Sequence, residues 1–389
     1  MPRIVRFDVL AVDLPFRLAF THAAASRSVS GSVFLRAETE TGVVGFGECL
    51  PRAYVTGETV ASVVDLLTGR ILPRLVDRQF ASLAEVVAFL DGCDGKAPPA
   101  WVADEVPQSA AWAAVDLALL DAVGKATGVP VRLNAECRLP PGLRYSAVQS
   151  SRTGRALWRR LLKYRLLGFR QVKLKLERDG FVDEVRSGWP LVGRLADVRV
   201  DANMAWSGAQ ALVAVRWLAA HGIHVVEQPV AAADLATMAR LEREPGVTVM
   251  ADESLHDRAS LERLVAERAC SAVNVRISKC GGLVAAYRRC CQALDAGLLL
   301  QVGCQVGESS LSSAAQLLLV TAVQRVRYAE GCFGLHLLER DPATPVLQFG
   351  YGGQPPPLPT APGLGVVMAD AVLRRAAVRT ATVPVSSLG

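Results

Sequence analysis

The sequence predicts an α/β barrel preceded by an α+β domain, and three observations carry that prediction. From about Arg144 the chain alternates short apolar runs of strand character with helical periodicity. Charged residues close those runs at a near-constant interval: Lys175, Asp201, Glu227, Asp252 and Lys279 follow one another at 26, 26, 25 and 27 residues. Roughly that length makes one strand–loop–helix–loop unit, so the charges fall at corresponding ends of successive parallel strands, the end where barrel enzymes place their chemistry. The first part of the chain has strands followed by helices, the order of an α+β domain.

Residues 1–50 read as an antiparallel meander: VRFDVLAVDL, SVFLRAETE, a turn at Thr41-Gly42, and VVGFGEC. Inside it, residues 16–31 hold no steady period and read as a mobile loop. Residues 58–125 read as helices, the last of them SAAWAAVDLALLDAVGKATG, stopped by Gly128-Val129-Pro130. The eight barrel strands are RYSAVQ, QVKLKL, DVRVDA, IHVVEQ, VTVMAD, AVNVRI, LLLQVG and VRYAEG. The tail from about residue 340 is too rich in proline and glycine for another βα unit and is expected to return to the first domain. The domain limits are then 1–130 for the cap, 131–340 for the barrel and 341–389 for the returning segment.

Composition bounds the function. The 389 residues are 51% hydrophobic and 21% charged, which suits a soluble globular chain with ample core. The opening MPRIVRFDVL has no apolar leader segment, and no apolar run reaches membrane-spanning length. Nine cysteines without a C-x-x-C pair suit a reduced cytoplasm. A net charge of +6 on dispersed arginines, with 6% aromatics, gives nucleic-acid binding little support. The expected partner is a small carboxylate, with no nucleic acid and no membrane, for a cytoplasmic homo-oligomer.

Asp201, Glu227 and Asp252 are hard oxygen donors of the kind that hold Mg²⁺, with Mn²⁺ as a substitute. The histidines at 22, 221, 224, 256 and 336 lack zinc-ligand spacing. Of 43 basic residues only six are lysines, and three of those (Lys173, Lys175 and Lys279) lie in the charged segments. Arginine stays protonated, whereas lysine can act as a base. Lys173 and Lys175 are two apart on a strand, so both point to the barrel mouth while Val172, Leu174 and Leu176 face the helices. Mutual repulsion is expected to lower their pKa values. Lys175 and Lys279 should approach a bound carboxylate from opposite faces. Such a site suits removal of the weakly acidic proton next to a carboxylate, through an enediolate held by a divalent metal and a lysine cation.

These segments resemble the enolase superfamily, in its muconate-lactonising subgroup: KLK at 173–175, VDAN at 200–203, VEQP at 226–229, ADES at 251–254 and NVRISKCGG at 274–282. VGFGEC, PRAYVTGET, AAVDLALLD and PGLG match as well, so the resemblance spans essentially the whole chain. It implies a modified (β/α)7β barrel under an α+β cap built from both termini. It implies metal ligation by Asp201, Glu227 and Asp252 and acid/base roles for Lys175 and Lys279. Lys173 would support the enediolate, with Asn203 and Glu253 behind the ligands. Substrate recognition would fall to cap residues Arg17, His22, Arg27, Arg52 and Tyr54.

Departures from the pattern narrow the reading. The family often has lysine where this chain has Arg276, which cannot serve as a base. Dipeptide epimerases carry Asp-x-Asp after the last strand, where YAEGCFG offers Glu330 alone, so dipeptide epimerisation is not expected. Glu308 is a further candidate for contact with a site lysine or substrate. The activity expected is that of an isomerase, as a muconate-type cycloisomerase or a racemase/epimerase. The alternatives are an o-succinylbenzoate-synthase type of dehydration, a Schiff-base aldolase using Lys279, and a binding protein that kept the fold.

Overall fold

The computed structural model describes residues 1–22, 25–149, 154–176, 185 and 197–385, without the side chains of 18–22, 25–26, 154–156 and 158. The first sheet contains β1 (Ile4–Val12). A hairpin of β2 (Pro15–His22) and β3 (Ala25–Val29) follows, and then β4 (Ser32–Thr39) and β5 (Val44–Cys49) complete the meander. The segment read as a loop at 16–31 is therefore a two-stranded ribbon, pairing Phe20 with Arg27 and Thr21 with Ser26. The ribbon is a two-stranded sheet of its own, separate from the main sheet, so it lies outside the strand order that the meander's alternation marks.

Short helices α1 (Ala53–Thr56) and α2 (Val60–Leu66) lead to α3 (Leu83–Cys93) and the long α4 (Ser109–Thr127). Fifteen of the residues of α4 are buried, and its run of alanines lets the helix lie directly on β5. The glycines of VGFGE make that contact: a Cβ at Gly47 would stand 1.8 Å from Ala114 O.

The barrel strands are β6 (Ala147–Gln149), β7 (Gln171–Lys175), β8 (Asp197–Asp201), β9 (Val225–Glu227), β10 (Thr248–Ala251), β11 (Ala272–Val275), β12 (Leu299–Val302) and β13 (Tyr328–Ala329). All eight are parallel and pair in chain order. The sheet closes through the parallel bridge Tyr145–Ala329, where Ser146 N donates to Ala329 O at 2.8 Å. Helices α5 (Gly154–Leu166), α6 (Gly208–Ala220), α7 (Leu235–Glu242), α8 (Arg258–Ala266), α9 (Ile277–Cys280), α10 (Leu283–Asp295) and α11 (Ser310–Val323) connect the strands. Between β7 and β8 only Leu176 and Val185 are described, the latter as a buried helical residue.

Local chemistry sets the helix starts. Ser207 and Gln210 cap α6 reciprocally, as Asp257 and Ser260 cap α8. Strand alternation sets the barrel interior: Val225, Met250, Ala272 and Tyr328 form an apolar cluster of their own, and two residues further along three of these strands stand Glu227, Asp252 and Asn274. The tail does return to the first sheet. After α12 (Asp370–Ala376), β16 (Ala377–Pro384) pairs antiparallel with β1, Val9 facing Ala381; two minor strands, β14 (Ala343–Thr344) and β15 (Val367–Met368), pair with each other on the way.

Candidate active site

Lys175, Asp201 and Glu227 are the last residues of β7, β8 and β9, while Asp252 and Arg276 are the first residues after β10 and β11. The side chains thus converge on one end of the barrel. A cavity of about 300 Å³ opens there, lined by Tyr54 from the cap and by Lys173, Lys175, Asn203, Glu253, Arg276, Gln305, Glu330 and Phe333.

The three carboxylates form a continuous charged arc in which every member is buried. Lys173 Nζ lies 3.2 Å from Asp201 Oδ2, 3.1 Å from Glu227 Oε2 and 2.8 Å from Glu330 Oε2. Glu227 also accepts from Asn274 Nδ2 at 2.8 Å and from Gln301 Nε2 at 3.2 Å. Arg276 donates to Asp252 Oδ2 in a very short contact and stands 3.8 Å from Glu227 Oε1. Lys175 Nζ donates to Asn203 Oδ1 at 2.9 Å and lies 3.5 Å from Asp201 Oδ2; Asn203 in turn donates to Glu253 at 3.3 Å.

Electrostatics follow from this interleaving of signs. Burial works to raise the Asp201 pKa, and Lys173, Lys175 and Arg276 outweigh it and hold the carboxyl below its usual range. Asp252 is held low in the same way by Arg276 and Lys279. Glu227 is pushed up to about 6, by burial and against the pull of Lys173. Glu253 is pushed up to about 8 by burial and by the charges of Asp252 and Asp201. The expected lowering of the Lys173 pKa does not hold: burial acts in that direction, but Glu227, Glu330 and Asp201 raise it.

The donor set suits a hard divalent cation. All its candidate ligands are carboxylate oxygens, and Asp201 Oδ2 and Glu253 Oε2 are buried without a hydrogen-bond partner among the described residues. In the arrangement as it stands, Lys173 and Arg276 supply the offsetting charge, and no three such groups among the described residues stand in coordination geometry.

Several expected site residues lie elsewhere. Lys279 does not line the cavity: it is 0% exposed, and its Nζ donates to Asp252 O, to Asp252 Oδ1 at 2.7 Å and to Asn274 O at 2.9 Å. The reason is local, because α9 starts directly after Arg276 and its single turn carries Lys279 back beneath the Asp252 main chain. Arg52 is likewise buried, donating to Ser30 O at 2.7 Å and Val306 O at 2.9 Å, so it staples the cap to the barrel. Arg17 joins the hairpin to the Leu337–Leu338 main chain. Arg27 is half-buried with its Nε unpaired among the described residues, and the His22 side chain lies outside the description. Glu308 accepts from Gln305 N at 2.7 Å and holds that turn; burial pushes its pKa up to about 8. Glu330 is clamped between Lys173 and Arg199.

Arg199, Asn274 and Gln301 were not anticipated. Arg199 is fully buried, donates to Ser146 Oγ at 3.1 Å and lies 4.4 Å over the Tyr328 ring. A signal did exist: Arg199 stands two residues before Asp201, and Asn274 two before Arg276, on the same inward faces of otherwise apolar strands.

Comparison with known proteins agrees with this geometry. Residues 4–133 match the family model described as mandelate racemase / muconate lactonizing enzyme, N-terminal domain, and residues 156–372 match the one described as enolase C-terminal domain-like. An L-Lys-D/L-Arg epimerase of Methylococcus capsulatus is 30% identical, covering 94% of this chain and 98% of that protein. A chloromuconate cycloisomerase of Cupriavidus pinatubonensis is 27% identical over 94% of this chain and 96% of its own. The crystal structure of N-succinyl Arg/Lys racemase from Bacillus cereus superposes with a TM-score of 0.87 at 26% identity, covering 98% of this chain and all of the other.

Proposed function

The chain belongs to the mandelate racemase/muconate lactonizing enzyme family of the enolase superfamily, and from that premise we propose that it is a Mg²⁺-dependent isomerase that removes the proton α to a substrate carboxylate. Asp201, Glu227 and Asp252 would hold the ion, with Mn²⁺ as a substitute. Bound there, it supplies positive charge to a substrate carboxylate.

The observation that carries the reading is the meeting of Lys175 with the carboxylate arc at the cavity wall, 3.5 Å from Asp201 Oδ2. A lysine at that place can take a proton from a carbon lying in the cavity. Lys173 is fully buried and enclosed by carboxylates, so it acts as a fixed ammonium beside the forming enediolate. Asn203 orients the Lys175 amine, and the cap contributes Tyr54 to the cavity wall and limits water access.

Glu330 bears on substrate choice. Its carboxylate is spent on Lys173 and Arg199, so it offers no free partner for a substrate ammonium. That favours acids whose nitrogen is acylated or absent over free dipeptides. Acids of the two kinds named in its relatives, N-succinylamino acids and muconate lactones, are the first to test. A Schiff-base aldolase through Lys279 is disfavoured, because three oxygens enclose that amine.

Turnover of such acids with and without exhaustive chelation tests the proposal. Activity should vanish on chelation, return with Mg²⁺ or Mn²⁺, and be absent from Asp252→Asn while the fold persists. Full activity in metal-free protein would overturn it.

A further inference from the structure

We propose that the site is one-sided in its proton chemistry: Lys175 carries the proton on one face of the substrate, and the group facing it across the barrel mouth is Arg276, a fixed cation. This rests on the isomerase reading above and selects among its outcomes.

Position is the first ground. β7 and β11 stand four strands apart in a closed sheet of eight, so residues at their ends lie opposite one another across the mouth. Arg276 follows β11 directly, as Asp252 follows β10, and its side chain lines the same cavity as Lys175. Lys279, three residues later, is enclosed. An ammonium has three N–H donors, and Lys279 directs bonds to three oxygens, two of them main-chain carbonyls. Those carbonyls belong to Asp252 and Asn274 and are fixed by the barrel, so nothing in the arrangement brings Nζ to a substrate.

Chemistry is the second ground. A guanidinium is donor-only and stays protonated in proteins, so Arg276 can attract an enediolate but cannot accept a proton from carbon. The reaction is then confined to one face. Lys175 Nζ accepts the α-proton, and the C–H electron pair passes into the carboxylate as an enediolate. Two exits remain. The ammonium of Lys175 can return its proton to the same face, restoring the starting configuration. Alternatively, the enediolate pair forms a C=C bond and expels a β-carboxylate oxygen with its bonding electrons, opening a lactone; the reverse closes it. Inversion at the α-carbon would require a proton carrier on the opposite face, where Arg276 stands.

Two measurements test this. Amine labelling with trinitrobenzenesulfonate, mapped by mass spectrometry, should modify Lys175 at least tenfold faster than Lys279; comparable rates would overturn the buried assignment of Lys279. Separately, N-succinyl-L-arginine, N-succinyl-D-arginine and muconolactone would be incubated in D₂O and followed by NMR. Wild type should exchange the α-proton of at most one enantiomer without interconverting the pair, and Arg276→Lys should raise exchange of the other enantiomer by about 10²-fold or more. Interconversion of both enantiomers by wild type, abolished on one face by Lys279→Met in a variant that melts normally, would sink the proposal. If none of these acids exchanges a proton, the isomerase reading loses its support for them, while the labelling result still decides whether Lys279 can reach the cavity.

Discussion

Two groups of buried carboxylates divide this molecule, and they are neutralised by different means. Along the seam between the first domain and the barrel, Glu48 accepts from Ser309 N, Ser312 N and both serine hydroxyls at the start of α11. Asp116 accepts from Leu283 N and Val284 N at the start of α10, and within the first domain Glu58 does the same for Ala110 N and Ala111 N at the start of α4. At the mouth, Asp201, Glu227, Asp252 and Glu330 face lysines and arginines instead. Burial pushes Glu48 and Asp116 up to about 7, whereas Asp201, Asp252 and Glu330 are held low by their cations. Helix amides fix geometry and carry only partial charge. Full cations keep carboxylates ionised, which is what a site handling an anionic substrate and a metal requires. Seam acids build the molecule; mouth acids are reserved for chemistry.

The sharpest way to break this contrast is at Lys175. Lys175→Ala should lower α-proton exchange by about 10³-fold, within the span typical of general-base removal, and leave the melting temperature close to wild type. A large loss of stability instead would mean that the mouth is structural too.

Arg199 tests the boundary between the two groups, since it serves the mouth from within the barrel. Arg199→Met leaves Glu330 with one cation, and breaking such a buried pair costs about 3–5 kcal/mol. Urea unfolding should show that loss, and Arg199→Lys should recover part of it. Unchanged stability would show that Glu330 does not depend on the pair.

At the seam, Glu48→Ala strands the amides and hydroxyls of Ser309 and Ser312, at a cost of about 2–3 kcal/mol. The same denaturation assay reads it, and metal affinity measured by calorimetry should stay unchanged because Glu48 makes no contact with the mouth carboxylates.

The smallest effect is in pH dependence. Glu48 and Asp116 have folded pKa values raised above their unfolded ones, so the folded state binds more protons between about pH 4 and 7. Their contribution to stability therefore declines as pH rises through that window, by about 1–3 kcal/mol each. Glu48→Gln should flatten the decline in urea midpoint from pH 4.5 to 7.5. An unaltered slope would show that the helix amides hold Glu48 ionised throughout.

Much of this architecture is legible in the order and spacing of the residues. The interval between charged strand ends points to the barrel, its eight strands and the acids of the arc, because each βα unit repeats at similar length and strand ends share one face. The tail's proline and glycine content points to its return, seen as β16 beside β1. The hairpin at 15–29 escapes such reading because its residues carry no steady alternation and it pairs as a sheet of its own. Gly282 is legible only as a turn residue. Its second role is close approach, since a Cβ there would come within 2.4 Å of the Asp116 side chain.

What the sequence determined by itself was therefore what depends on the barrel's repeat: which residues form its strands, which face they share, and that Asp201, Glu227 and Asp252 stand in line. What only the tertiary structure decided was which basic group reaches the cavity. Arg276 and Lys279 lie three residues apart in one motif, and the interval from Asp252 accommodates either. The single turn of α9 separates them, sending one side chain over the mouth and folding the other beneath the main chain of Asp252. A repeat length specifies the strand end, but the direction of a side chain beyond it depends on main-chain oxygens contributed by neighbouring strands, and those meet only when the barrel closes.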